Sequence, residues 1–148
     1  MLEQSKMVGP LTPQQLRKRA EDKAMAEAKK AFEAMHKAEE QNRDLREIFM
    51  SREIKPDGMD RLMVAVTRAA EDGKSELMVF RFPSGYLTDG GRAVNNFEPD
   101  WPKTLEGFAK RAYDFYEQKL RAHGYKLRAQ VLEYPDGKPG DVGMFLSW

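Results

Sequence analysis

Residues 11–58 read LTPQQLRKRAEDKAMAEAKKAFEAMHKAEEQNRDLREIFMSREIKPDG, and this stretch decides the architecture. At its start Thr12 can cap free backbone N–H groups and Pro13 suits a first helical position. Gln15 completes a capping box, and Leu11 and Leu16 have the spacing of a hydrophobic staple. Neither Gly nor Pro occurs between Pro13 and Pro56. Gln41-Asn42-Arg43-Asp44 is the weakest helical segment inside, and Pro56-Asp57-Gly58 is a firm stop. One long helix over 12–55 is expected, behind a flexible tail of residues 1–11 and ahead of an α+β domain over 56–148.

Some 43 helical residues extend about 64 Å at 1.5 Å per residue. The roughly 90 residues that follow make a body about 30 Å across. A rod of that length bends near Asn42, packs on another chain, or stands half in water. Ala24, Ala28, Ala31, Met35 and Ala38 recur at three- and four-residue steps, with Met25 and Phe32 beside them. The stripe fades at Asn42 and resumes with Leu45, Ile48 and Phe49. A buried Leu, Ile or Phe contributes roughly 1.5–3 kcal/mol and Ala a fraction of that. Residues 45–54 are therefore expected to dock on the body, and the Ala-rich part to make a shallower contact. Two readings of that part stand side by side. One is self-association of helices, with an antiparallel pair in view; the other is a charged helix lying on its own domain or solvated. Leu/Ile heptads of the usual coiled-coil kind are absent.

The body reads α-β-α-β-β. A helix from about Gly58 to Asp72 presents Met59, Leu62, Met63 and Val66, and Gly73 ends it. Leu77–Phe82 is a strand, a helix from about Lys103 to Ala122 ends at Gly124, and strands over Tyr125–Tyr134 and Val142–Trp148 flank the turn Pro135–Gly140. The last two strands form an antiparallel hairpin. Joining the first strand to the second by a helical crossover makes those two parallel, so the expected class is α+β with a three-stranded mixed sheet. With both helices on one face, a Met78/Phe80/Phe82 row would need a further cover from the long helix or a second subunit. Gly73-strand-Pro83 and Gly124-strand-Pro135 echo one another, as a duplicated unit or as two instances of the same local punctuation.

Composition narrows the chemistry. The 148 residues carry 25 Lys and Arg against 24 Asp and Glu, and the charges balance within 1–57 and within 58–148 alike. A dedicated nucleic-acid or membrane-surface binder carries a basic excess. Arg17-Lys18-Arg19 and Lys29-Lys30 lie beside acids without interleaved aromatics, so the field there is mixed. There is no Cys, which excludes disulfides, thiol nucleophiles and Cys-ligated metals. No run of about 18 apolar residues and no signal-peptide pattern is present, so a cytoplasmic location is expected. Gly73-Lys74-Ser75 copies the end of a phosphate-binding loop but follows a helix, whereas that loop follows a strand. Glu33 and His36, with Glu40 on the same face, make half of a di-iron helix motif and read better as a solvated face. His123 suits the end of a helix as a cation. No metal or cofactor is expected.

The connection Pro83–Trp101 is longer than its task requires. Thr88 or Asp89 could cap a short turn holding Gly90, Gly91 and Arg92, whose backbone N–H groups would suit an anion. Asp89, Arg92, Asn95 and Asn96 are its polar candidates, while Trp101 and Phe97 are expected to pin the loop to the body. The leading expectation is a non-catalytic protein that associates with a second copy, or docks on another protein, through Ala24, Ala28, Ala31, Phe32 and Met35. The alternative is a small-molecule or anion-binding, or enzymatic, domain using the loop 83–101. The two differ in whether Asp89, Arg92 and Asn95 converge on a pocket or point outward.

Overall fold

The computed structural model describes residues 9–148; the greater part of the expected tail, residues 1–8, lies outside the described residues. Seven regular elements follow in order: α1 (Pro13–Ser51), α2 (Gly58–Glu71), β1 (Glu76–Pro83), α3 (Arg92–Asn95), α4 (Gly107–Lys119), β2 (Lys126–Val131) and β3 (Asp141–Ser147). Contacts divide the chain into two units between Leu45 and Arg46.

The first unit is the 13–45 part of α1. Its start is the capping box in full: the Gln15 N–H donates to Thr12 Oγ1 at 3.1 Å, and the Thr12 N–H donates to Gln15 Oε1 at 2.9 Å. Because Pro13 has no N–H, only three donors are orphaned at the helix start, and two of them are satisfied this way. The helix continues unbroken through Asn42, so a weak run of propensities does not interrupt it when no Gly or Pro is present.

The second unit, residues 46–148, is an α+β body around a three-stranded sheet ordered β1-β3-β2. Both ladders are antiparallel, β1 with β3 and β2 with β3, so the sheet is antiparallel and not mixed. The crossover does leave β1 and β2 pointing the same way, but β3 enters between them and takes both sets of hydrogen bonds. The two echoed segments thus flank β3 symmetrically: Leu77 and Leu127 both face Leu146, and Phe82 and Val131 both face Val142.

One irregularity sets the faces of β1. The register slips between Met78 and Phe80, leaving Val79 as the extra residue of a bulge. A bulge shifts the alternation by one position. Phe80 and Phe82 therefore share the helix-covered face with Val142, Met144 and Leu146, while Met78 lies on the opposite face opposite Phe145. The continuous Met78/Phe80/Phe82 row does not form: Met78 stays 40 % exposed on the outer face, and part of the cover over Phe82 comes from the end of the long helix, as one of the two expected covers. Phe49, in the last turn of α1, packs against Phe82 and Tyr86 with ring centroids 5.2 and 5.0 Å apart, and Phe80 meets Phe108 of α4 at 5.1 Å. The outer face is polar and paired: Arg81 bridges Asp141 and Glu133, and Arg128 binds Glu76 while lying over the Phe145 ring.

The third long helix starts later than its composition suggests. Trp101–Thr104 is a tight turn, and α4 begins at Gly107, whose φ of +58° turns the chain. That start lies against the end of α1. The Arg111 guanidinium donates to the carbonyls of Met50 and Arg52 at 2.8 and 3.1 Å, supplying partners to carbonyls a helix end leaves free.

Candidate functional site

The loop 83–101 answers the test set by its sequence. Asp89 is half-buried, and its carboxylate accepts from the backbone N–H groups of Gly91 and Ala93 at 3.0 and 2.9 Å, so it caps α3. Arg92 is exposed and lies 3.8 Å from Glu98. Asn95 accepts from the Tyr134 hydroxyl at 2.7 Å, and Asn96 is exposed. The four polar candidates have separate local partners or face solvent; they do not line a common pocket. The loop is anchored by Leu87, Ala93 and Val94, all buried, and by Trp101, whose ring meets Tyr113 edge-on at 5.7 Å. Burial pushes the Tyr113 phenol up, with the Glu117 carboxylate beside it acting the same way, so the neutral phenol is favoured.

Phe97 corrects the remaining expectation for this loop. It is 84 % exposed and does not pin anything. Its φ is +55°, and its N–H reaches the Val94 carbonyl at 3.2 Å while the Glu98 N–H reaches Ala93 at 2.9 Å. That is a Schellman helix end with Phe in the position Gly normally takes. A left-handed backbone costs an L-residue about 1–2 kcal/mol, and nothing in the loop's packing offsets it. Phe97→Gly is therefore expected to raise the melting temperature of the protein by about 4–8 °C, the shift that about 1 kcal/mol gives a domain of this size. Thermal unfolding of the variant beside the parent checks this; an unchanged or lower midpoint shows that the ring contributes to the fold.

Helix α1 has the opposite character. None of its residues is buried, and Met25, Phe32 and Met35 are 71, 65 and 57 % exposed. Ala24, Ala28, Ala31, Met35, Ala38, Asn42, Leu45 and Phe49 alternate four- and three-residue steps without a fault. A 3.5-residue period held over that length keeps one seam along a helix. Asn42 is inside this seam, where the apolar stripe alone shows a gap. Met25 and Phe32 flank the seam on one side, and Glu33, Glu40 and Glu47 occupy the far face. His36 is 3.2 Å from Glu40 and stacks on Phe32. Among the described residues, no three His, Cys, Asp or Glu side chains gather closely enough to hold a metal ion, and no helix is long and apolar enough to cross a membrane.

The five residues singled out for a partner contact thus lie on or beside one exposed strip of one helix. Phe97 was missed because a Phe in a left-handed turn has no sequence signature; the seam's phase was legible, since only the step lengths through Asn42 are needed to find it. Comparison with protein-family models, with curated proteins and with solved structures gave no match to this chain, so its function is read from its own geometry.

Proposed function

We propose that the chain is a non-catalytic cytoplasmic protein that self-associates, two copies pairing antiparallel along the seam of α1. The observation that carries this reading is the unbroken 3.5-residue repeat from Ala24 to Leu45 on a stretch of helix with no buried residue. One antiparallel register of two such helices is favoured by the fit of large to small side chains and by charge. With Ala28 opposite the partner's Ala31, Met35 meets the partner's Ala24, a large side chain against a small one. Met25 then lies beside the partner's Phe32, Lys18 beside the partner's Glu39, and Asn42 opposite the partner's Arg17. Asn42 thus meets a polar partner and opposite charges meet across the rim, which is how coiled coils select register.

Magnitudes place the strength. Burying Met25, Phe32 and Met35 on both copies is worth roughly 1.5–3 kcal/mol each. Ordering two molecules into one costs about 4–15 kcal/mol. At mid-range the balance is about 4 kcal/mol, dissociation near 1 mM, and a span from about 1 μM to about 1 mM covers tighter fits. Sedimentation equilibrium across that range is expected to show the mass rising from 17.0 kDa toward twice that value. A mass constant at one subunit throughout overturns the reading.

Orientation has its own test, made clean by the absence of Cys. Glu21→Cys and Ala38→Cys lie about 25 Å apart along one helix, but face each other in the antiparallel register. Mixed under oxidising conditions, the two variants are expected to form the mixed disulfide and neither alone to form a dimer. Each forming a disulfide only with itself shows a parallel pair, because a disulfide needs Cα atoms within about 7 Å.

A further inference from the structure

The second unit contains a cavity of about 290 Å³ that none of the above uses. Val79, Leu127 and Leu146 of the sheet form its floor, Leu62 of α2 one wall, and Phe108 and Ala112 of α4 the other. Its mouth is the connection between α1 and α2, and there the charges are uneven. Glu53 is bound to Arg111 at 3.3 Å and Asp57 to Arg61 at 2.7 Å. Arg52 and Lys55 also line the opening, and neither forms an ion pair with a described residue. Arg52 is held in place, its guanidinium 4.3 Å above the Phe108 ring that lines the cavity. Inside, the Tyr116 hydroxyl donates to the Tyr125 carbonyl at 2.8 Å, and no buried side-chain polar atom among the described residues lacks a partner. The interior is therefore apolar and internally satisfied, and the recognition charge sits at the rim and is positive.

We propose that this cavity binds a small amphipathic carboxylic acid, its alkyl or aryl body between α2 and α4 and its carboxylate at Arg52 and Lys55. An apolar cleft with few placed polar groups is the usual form of a small-molecule site. At about 30 Å³ for a water-sized group, the cavity has room for about ten non-hydrogen atoms. A planar guanidinium over a ring leaves its N–H edge free to hold a carboxylate by two hydrogen bonds. A cationic amphiphile meets the same apolar walls but a repelling rim, and a neutral alcohol gains nothing from the charges.

The site lies wholly within residues 52–146, so it stands or falls apart from the pairing of α1. Decanoate, decanol and decyltrimethylammonium, each below its micellar concentration, are the probes, and titration followed by methyl NMR of the full chain is the measurement. Decanoate is expected to shift the methyl signals of Ala112, Leu127 and Leu146 saturably, and to bind at least ten-fold more tightly than decanol. Arg52→Gln combined with Lys55→Gln is expected to lose that ten-fold difference while decanol binding stays unchanged. Ala112→Phe fills the cavity and is expected to abolish binding of both; should it not fold, the rim double variant decides alone. Absence of saturable shifts, equal binding of decyltrimethylammonium, or decanoate binding that survives both the filled cavity and the neutral rim overturns the proposal. So does decanoate affinity that falls as protein concentration rises, which identifies a second copy as the occupant.

Discussion

Gly107→Ala is expected to lower the melting temperature by about 8–40 °C. Two effects combine at this residue. Its φ of +58° is left-handed, and there a Cβ costs about 1–2 kcal/mol. The Cβ would also lie 2.7 Å from Met50 Cα, 2.9 Å from Met50 Sδ and 3.1 Å from the Phe49 carbonyl oxygen. Two of those three atoms are backbone and cannot turn aside, so the start of α4 must move off the last turn of α1. Overpacking of this kind costs about 1–3 kcal/mol more. For a domain near 100 residues each kcal/mol is about 4–8 °C. The displaced residues matter: Phe49 packs on Phe82, Tyr86 and Phe108 at 5.0–6.1 Å between ring centroids, and the Met50 carbonyl accepts from Arg111. Gly124→Ala is the control, because Gly124 has φ +95° and a Cβ there would have nothing within 4 Å of it. It carries the backbone cost alone and is expected to lose about 4–16 °C. Equal losses at the two positions would show that the close approach of α1 to α4 contributes nothing to stability.

The same contact separates what the sequence could reveal from what it could not. Local chemistry was legible: Thr12 and Gln15 form their capping box, Pro56-Asp57-Gly58 separates α1 from α2, and the turn after Tyr134 joins an antiparallel hairpin. Each of these depends on residues a few positions apart. Strand order depends on pairs far apart in the chain, such as Leu77 with Leu146, and nothing in either strand names its neighbour. The bulge at Val79 is similarly silent, yet it decides which way Met78 points. The start of α4 was read at Lys103 because Leu105 and Phe108 keep a helical spacing across a segment that Gly107 in fact breaks. In the loop, the sequence offered Thr88 or Asp89 as the cap of a short turn; the carboxylate of Asp89 takes the N–H groups of Gly91 and Ala93, two residues ahead of the N-cap position at Gly91. Arg92, Asn95 and Asn96 could be recognised as polar and grouped, but not as turned toward Glu98, Tyr134 and solvent. That Ala24, Ala28, Ala31 and Met35 share one strip of α1, with Phe32 beside it, needed only helical periodicity, the most dependable signal a single sequence carries.

Phe32→Glu is the substitution expected to act most strongly on the proposed pairing of α1, by roughly 100- to 10,000-fold in dissociation constant. In a symmetric pair each change is made twice, and both copies lose a Phe whose burial is worth roughly 1.5–3 kcal/mol. Every 1.4 kcal/mol is a factor of ten. The new carboxylates would lie beside the partner's Met25, an apolar neighbour that cannot compensate them. Within one subunit Phe32 is 65 % exposed, so the melting temperature of the body is expected to stay within about 2 °C, as surface substitutions usually do. Glu33→Lys is the matched control: it reverses a charge one residue away, on the face opposite the seam. Sedimentation equilibrium should find Phe32→Glu monomeric at concentrations where the parent and Glu33→Lys associate. If Phe32→Glu keeps the parent's mass at every concentration, the strip through Ala24, Ala28, Ala31 and Met35 is not where copies meet. If Glu33→Lys dissociates equally, the helix associates by net charge and not by fitting Phe32 and Met35 between small residues.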